Sequence, residues 1–339
     1  MMSSCFSQKL LNDIHLSLCF TILFTAFNTQ SHIQKTLTVS IQRDNPSYNA
    51  DGYVCFGIIY TFLALGMWLS PSFIAITGWK ISLGIGAFCY LSFVTFSYFE
   101  IGWLTYSSSA ITGIGAALLW TAQANYIVLN SEIGDVYPRM HLTFMSVIAA
   151  SLGFTKYISP NSREYAPLSG VLQGFGEIIG SCLSLYFKEK AFFKLNVIMT
   201  TATLSNVFGY VIAILGLPDT SAYGYTEEYS LIKIPITFLL LSNILIGMGD
   251  ACLHIALYNY IGTLYPNDSA SGFAVFKFIR CLATACSFYY SNIIGLHLQL
   301  MILFGISFLS LIGFHYSLHT SLKTTRKLKE KPQLSEFCF

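Results

Sequence analysis

From Gly52 to Trp79 the sequence carries no charged side chain, and the same holds from Ile81 to Phe99, from Ile101 to Ser131, from Leu195 to Pro218 and from Cys281 to Leu322. Runs of this length and apolarity leave few folding options. A helix needs about 20 mostly apolar residues to cross a bilayer core of about 30 Å, and lipid demands that each backbone polar group be satisfied within the protein. Only 10% of the 339 residues are charged and 54% are hydrophobic, whereas soluble domains carry about 25% charge. So few charges do not cover the surface of a soluble domain of this size. The composition therefore predicts an all-α, polytopic, integral membrane protein with the lipid bilayer as its main partner.

The runs predict nine full spans, at about 11–30, 53–76, 81–99, 103–129, 166–187, 193–217, 231–260, 270–294 and 297–319. The first is read as a retained helix, because no Ala-x-Ala cleavage signal follows it. A further apolar stretch, Met140 to Phe154, is too short to cross comfortably at 1.5 Å per residue. About nine to ten spans are thus expected.

Net charge is only +2, which gives no basic field for nucleic acid, but the bases are unevenly placed. They gather at Lys188, Lys190 and Lys194 and in the tail at Lys323, Arg326, Lys327, Lys329 and Lys331, whereas residues 218–230 hold Asp219, Glu227 and Glu228 and no base. Basic loops face the cytoplasm, so both termini are expected there, with the acidic loop outside. The tail carries no sorting signal that selects plasma membrane or endomembrane. The alternating path then forces the short 140–154 stretch to cross, a conflict that points to a missing segment.

Two spans repeat each other. Ile111 to Ile127 reads ITGIGAALLWTAQANYI and Leu245 to Ile261 reads LIGMGDACLHIALYNYI. Gly113, Gly115, Ala117, Ala122, Asn125, Tyr126 and Ile127 recur as Gly247, Gly249, Ala251, Ala256, Asn259, Tyr260 and Ile261, at a constant offset of 134. Both spans run from outside to inside in this topology. A same-direction repeat relates two halves by an axis along the membrane normal, as in major facilitator transporters.

Particular motifs carry a closer likeness. Phe24-Thr-Ala-Phe-Asn-Thr-Gln30, Gly52-Tyr-Val with Ser70-Pro-Ser72, and Leu119-Trp-Thr-Ala-Gln-Ala-Asn-Tyr126 with Asn130-Ser-Glu132 stand in the first half. Leu168-Ser-Gly170 with Gly176-Glu177, Gly247-Met-Gly-Asp250, Phe273-Ala-Val-Phe-Lys-Phe278 and Phe288-Tyr-Tyr-Ser-Asn292 stand in the second. Together they resemble the "uncoordinated"-type, ion-channel-regulator-like branch of the major facilitator superfamily. The resemblance implies a helical bundle of two pseudo-repeated halves with twelve helices. Here the sequence jumps after Glu132, and His141-Leu-Thr-Phe144 is the first recognisable piece of the seventh helix. Family helices one to four then occupy 1–132, part of helix seven to helix twelve occupy 133–320, and 321–339 form a basic cytoplasmic tail. The superfamily's usual Asp-Arg loop between helices two and three is replaced by Thr77-Gly78-Trp79-Lys80, with no acid.

Charges inside the apolar runs are the candidate site. A carboxylate at a helix centre costs about 2.5–3.5 kcal/mol on insertion scales, so it turns to the bundle interior or to water. At helical spacing Gly247, Asp250, His254 and Tyr258 share a face. Glu177 lies on a stripe with Gly170, Gly174, Ser181 and Ser184, and Lys277, Arg280, Thr284 and Ser287 form a third polar face. Two readings of these charges stay open: a site for protons or a charged solute, with Glu177 or Asp250 exchanging a proton, or a salt-bridge cluster that locks the bundle. Gly113, Gly115, Gly170, Gly174, Gly247 and Gly249 are read as close-packing positions. Asn125, Tyr126, Asn259 and Tyr260 are read as interface anchors and caps at the inner helix ends.

No nucleophile elbow, phosphate loop or zinc motif occurs, so no enzyme, cofactor or metal is expected; His315 and His319 lack a third ligand. The nine cysteines form no CxxC pair and read as small packing residues. Three functions remain: a solute-carrier-like protein, proton-coupled and working by alternating access; a non-transporting partner of an ion channel or receptor subunit; and a truncated, inactive isoform.

Overall fold

Helices form along the uncharged runs and stop where capping chemistry or proline intervenes. The computed structural model describes residues 2–130, 165–186, 191–222, 229–264 and 269–330. Nine α-helices are described: α1 (Met2–Asp44), α2 (Gly52–Thr77), α3 (Trp79–Phe96), α4 (Gly102–Asn130), α5 (Tyr165–Tyr186), α6 (Ala191–Gly216), α7 (Ile236–Leu264), α8 (Ser269–Tyr290) and α9 (Leu296–Glu330). The chain is an all-α polytopic membrane protein. Among the described residues six helices are long and apolar enough to cross a membrane: Gly52–Thr77, Trp79–Phe99, Leu195–Gly216, Ile236–Gly262, Gly272–Tyr290 and Leu296–Ser321. The short 140–154 stretch, the junction after Asn130, and Lys188 and Lys190 lie outside the described residues.

Local chemistry sets the boundaries. Asp51 caps α2, its carboxylate accepting from the Tyr53 and Val54 amides at 2.8 and 3.1 Å, which satisfies two otherwise unpaired donors of the first turn. At the other end a single residue, Gly78, joins α2 to α3. Its φ of 80° is accessible to glycine and strained for other residues, and its amide closes back on the Ile74 carbonyl at 2.8 Å. Pro235 lacks an N–H and stands just before the first turn of α7, so that helix begins at Ile236 instead of 231.

The largest departure from expectation is α1, which runs well beyond 11–30. Its second half is polar, yet the helix continues because those groups turn into protein: Gln34 and Thr38 are 0% and 1% exposed. The same holds in α4, where Thr105, Ser108, Ser109 and Thr112 are all buried. Their hydroxyls donate to carbonyls of the preceding turn, and Thr112 also reaches the Cys89 carbonyl on α3 at 3.0 Å.

The sequence repeat is a packing repeat. α4 packs against both α2 and α3, and α7 packs in the same way against α5 and α6. A Cβ on Gly113 would strike the Ile59 carbonyl of α2, and one on Gly247 would strike the Gln173 carbonyl of α5. Two residues on, a Cβ at Gly115 would meet Cys89 of α3, and one at Gly249 would meet Asn206 and the Ala202 carbonyl of α6. The partner glycines correspond too: Gly66 lies against Ile114 and Ala117, and Gly180 against Met248 and Ala251. Each pair of contacts is the other shifted by the 134-residue offset of the central helix.

The helix groups α1–α4 and α5–α9, taken as the two halves of the described residues, meet chiefly along α2 and α8, with a smaller contact of α1 and α5. Phe288 packs on Phe56 and Tyr60 with ring centroids 5.3 and 5.6 Å apart. Gly57 makes room for the Tyr289 ring, and Trp68 meets Phe278 edge-on at 5.5 Å. Cys281 joins the core of Phe20, Phe24, Leu63, Met67, Tyr90 and Leu119.

Backbone carbonyls yield little to an added methyl, and overpacking costs about 1–3 kcal/mol. Gly113→Ala and Gly247→Ala are each expected to lower the thermal unfolding temperature of the detergent-solubilised protein by several degrees. Gly305 and Gly313 on α9 have open space around them. Gly305→Ala and Gly313→Ala are expected to leave the unfolding temperature unchanged or raise it, since alanine is the better helix former.

Candidate functional site

Asp250 sits midway along α7 and lines a cavity of about 400 Å³. Gln173 of α5, Asn206 and Tyr210 of α6, Arg280 of α8 and Ser307 and Ser310 of α9 line the same space. Ile246, Leu253, Leu303 and Ile306 supply its apolar wall. The cavity lies beside α9, which packs mainly on α6.

One helical turn from Asp250, His254 is buried at 7% exposure. Its Nδ1 lies 2.9 Å from the backbone carbonyl of Asp250 and 3.4 Å from the carboxylate. Nδ1–H donation to the carbonyl leaves the ring edge beside the acid. Tyr258 stacks on the imidazole with centroids 6.1 Å apart, and Phe276 meets it edge-on. Asp250, His254 and Tyr258 thus share one face. Glu177, half-buried on α5, lies in electrostatic range of Asp250 and Arg280.

The two bases of α8 diverge. Arg280 lines the cavity with Asp250, while the Lys277 ammonium lies 6.0 Å from the Trp120 ring centroid on α4, in the other half. Thr284 and Ser287 return their hydroxyls to the carbonyls of Arg280 and Thr284. The polar face read from helical spacing is therefore divided among three environments.

The repeat-related helix ends stand away from the cavity. Tyr126 is buried with its ring 4.4 Å from that of Trp79, and Asn125 is exposed. Tyr260 bonds Ser317 at 2.6 Å and packs on Phe314, and Asn259 is half-buried beside it. Gly174 is buried within α5, four residues beyond Gly170. The α5 glycines found against α7 are Gly176 and Gly180. His315 Nδ1 lies 2.9 Å from the Leu311 carbonyl of its own helix.

A second polar cluster was not foreseen from the sequence. Lys35 of α1 donates to the Asp51 carboxylate and, at 3.0 Å, to Asn292 Oδ1 just past α8. The Asn292 amide in turn donates to Asp51 Oδ1 at 2.9 Å. The Asp51 amide donates to the Tyr106 hydroxyl, and Lys35 also lies over the Tyr53 ring. This clasp ties the start of α2 to α1 and to the opposite half. Asp51 ahead of an uncharged run is a readable cap signal. Its partners lie 16 and 241 residues away, and no spacing rule reaches them.

Burial pushes the Asp51 carboxyl up, but the hydrogen bonds from Lys35, Asn292 and the Val54 amide outweigh it and hold the group below its usual range. A carboxyl whose folded pKa is depressed adds stability that is present above its unfolded pKa and lost as pH falls through the folded value. The unfolding temperature of the wild type is expected to fall on acidification through that window, and Asp51→Asn to flatten this part of the profile. Asp51→Ala, which removes the cap as well, is expected to cost about 1–2 kcal/mol at neutral pH.

The family model "Ion channel regulatory protein UNC-93" matches residues 45–137 and 135–315. UNC93-like protein MFSD11 of Xenopus tropicalis is 23% identical over 429 residues, covering 91% of this chain and 96% of the relative. The Xenopus laevis protein of the same name gives the same identity and coverage. Protein unc-93 homolog A of Bos taurus is 29% identical over 132 residues, 39% of this chain and 26% of that one. The 429-residue alignments exceed the 339 residues of the chain itself, so these relatives hold residues that have no counterpart here. With its family model matched over most of its length, and with membrane helices in a repeated arrangement, the chain belongs to the UNC-93 family.

Proposed function

We propose that the protein is a solute-carrier-type membrane protein that holds a small charged solute in the cavity beside Asp250 and moves it, coupled to protons, by rocking its halves. The observation that carries this reading is the meeting of Asp250 and Arg280 on one cavity wall, each midway along a helix. Ionisable groups at membrane depth are costly and mark solute or proton pathways. A volume of about 400 Å³ lies in the range of small-molecule sites, about 300–1,000 Å³. Glu177 and His254 stand where a proton could be exchanged with Asp250.

In the topology that puts the basic tail in the cytoplasm, the Lys35–Asp51–Asn292 clasp lies on the outer side. The halves are then closed there by α2 and α8, and the rocking motion has to break the clasp. The division into 1–132 and 133–320 supplies the two moving bodies.

A second reading has its own support in the family description, which names an ion channel regulatory protein. On that reading Glu177, Asp250 and Arg280 lock the bundle and a channel or receptor subunit docks on it.

Reconstitution into proteoliposomes separates the two. The carrier reading expects uptake of at least one small charged solute driven by a pH gradient, and about a tenfold loss on Asp250→Asn with unfolding temperature retained. Absence of gradient-driven flux across a broad solute panel, with a channel or receptor subunit retained by both Asp250→Asn and Glu177→Gln, would establish the regulator instead.

A further inference from the structure

Arg280 stays exposed on the cavity wall, and no hydrogen bond or ion pair to its guanidinium is found among the described residues. An arginine offers five N–H donors in a fixed fork, and leaving them unmet at membrane depth is expensive. Across the same cavity Asp250 has one carboxylate oxygen facing His254. Asn206, which also lines the space, is 8% exposed, with its Oδ1 enclosed against Gly249 of α7. The wall thus combines an unmet cationic fork and an acid. Ile246, Leu253, Leu303 and Ile306 complete it with aliphatic surface.

This set of groups discriminates between ligand classes. The guanidinium fork fits a planar carboxylate in bidentate fashion. A phosphate dianion would meet Asp250 and nearby Glu177, and like charges at such range cost several kcal/mol. A plain carboxylate answers Arg280 and still faces Asp250. A plain amine answers Asp250 and leaves Arg280 unmet. We propose that the cavity binds an amino-acid-like zwitterion, with its carboxylate on Arg280, its ammonium toward Asp250, and an aliphatic side chain against Leu303 and Ile306. The inference rests on the carrier reading and names the class of solute for it.

The test uses the full chain in lipid nanodiscs with three probes of matched shape: L-leucine, L-leucinamide, which lacks the carboxylate, and 4-methylpentanoate, which lacks the ammonium. Equilibrium binding and ligand-dependent thermal shift are read for each. L-leucine is expected to bind about tenfold or more tighter than either analogue, since each leaves one charged partner unanswered. Arg280→Gln is expected to abolish L-leucine binding and Arg280→Lys, which keeps charge without the fork, to weaken it. Asp250→Asn is expected to shift preference toward 4-methylpentanoate by about tenfold. Equal binding of L-leucine and 4-methylpentanoate by the wild type would overturn the proposal without any variant. So would unchanged L-leucine binding in Arg280→Gln. If a different solute class is transported and L-leucine is ignored, the zwitterion assignment fails and the carrier reading stands. If no solute binds or moves across a broad panel, both fail.

Discussion

Lipid offers no hydrogen-bond partner, and this single fact organises the molecule. Every polar side chain in a spanning helix must find an acceptor or donor within the protein or line a wet cavity. The buried hydroxyls of α4 meet that demand by bonding back to their own helix and to α3. Thr38 meets it by donating to the Lys35 carbonyl, and the Gln34 side-chain carbonyl oxygen by accepting from Gln30, which is how α1 continues through a polar stretch. Asp250 and Arg280 meet it differently: both line the cavity. Two of the charges that lipid would reject thus meet in one place, and the proposed chemistry follows from that meeting.

Close helix approach is the second element. With lipid on the outside, helices gain little from hydrophobic burial against one another, so contact has to come from close packing of small residues. Gly113 and Gly115 on α4, and Gly247 and Gly249 on α7, let each central helix press against two neighbours at once. The second of the two trios formed in this way holds α5, α6 and α7 together beside the candidate cavity. The halves then touch along α2 and α8, where aromatic rings cover the seam and the Lys35–Asp51–Asn292 clasp closes one end. That clasp joins the halves through three side chains, whereas the aromatic seam runs from Phe56 to Trp68 along α2.

The sequence made the helices legible because uncharged runs have few alternatives in structure. It made the repeat legible because Asn-Tyr-Ile and two glycines recur at one offset. The partners of those glycines were not legible: nothing in the sequence says that Gly247 presses on Gln173 and Gly249 on Asn206. The polar face of α8 was half legible. Helical spacing puts Lys277 and Arg280 on one side, but the neighbours of that side differ along its length, so Lys277 turns to Trp120 and Arg280 to the cavity. Hydropathy averaging cut α1 short, since a window counts glutamine and threonine as polar wherever they point. The clasp was invisible because its members come from opposite ends of the chain and share no motif.

The central claim is that the space beside Asp250 and Arg280 is a water-accessible cavity within the membrane. Thiol reactivity tests it most directly, because a cysteine reacts as thiolate and only where water reaches it. In a background lacking the native cysteines, Ser307→Cys on the cavity wall of α9 should react with a small water-soluble thiol reagent in intact proteoliposomes. Leu309→Cys, on an exposed apolar position of the same helix, should stay inert in lipid. Equal inertness of the two cysteines would mean that the cavity is dry or filled by lipid, and would contradict the account.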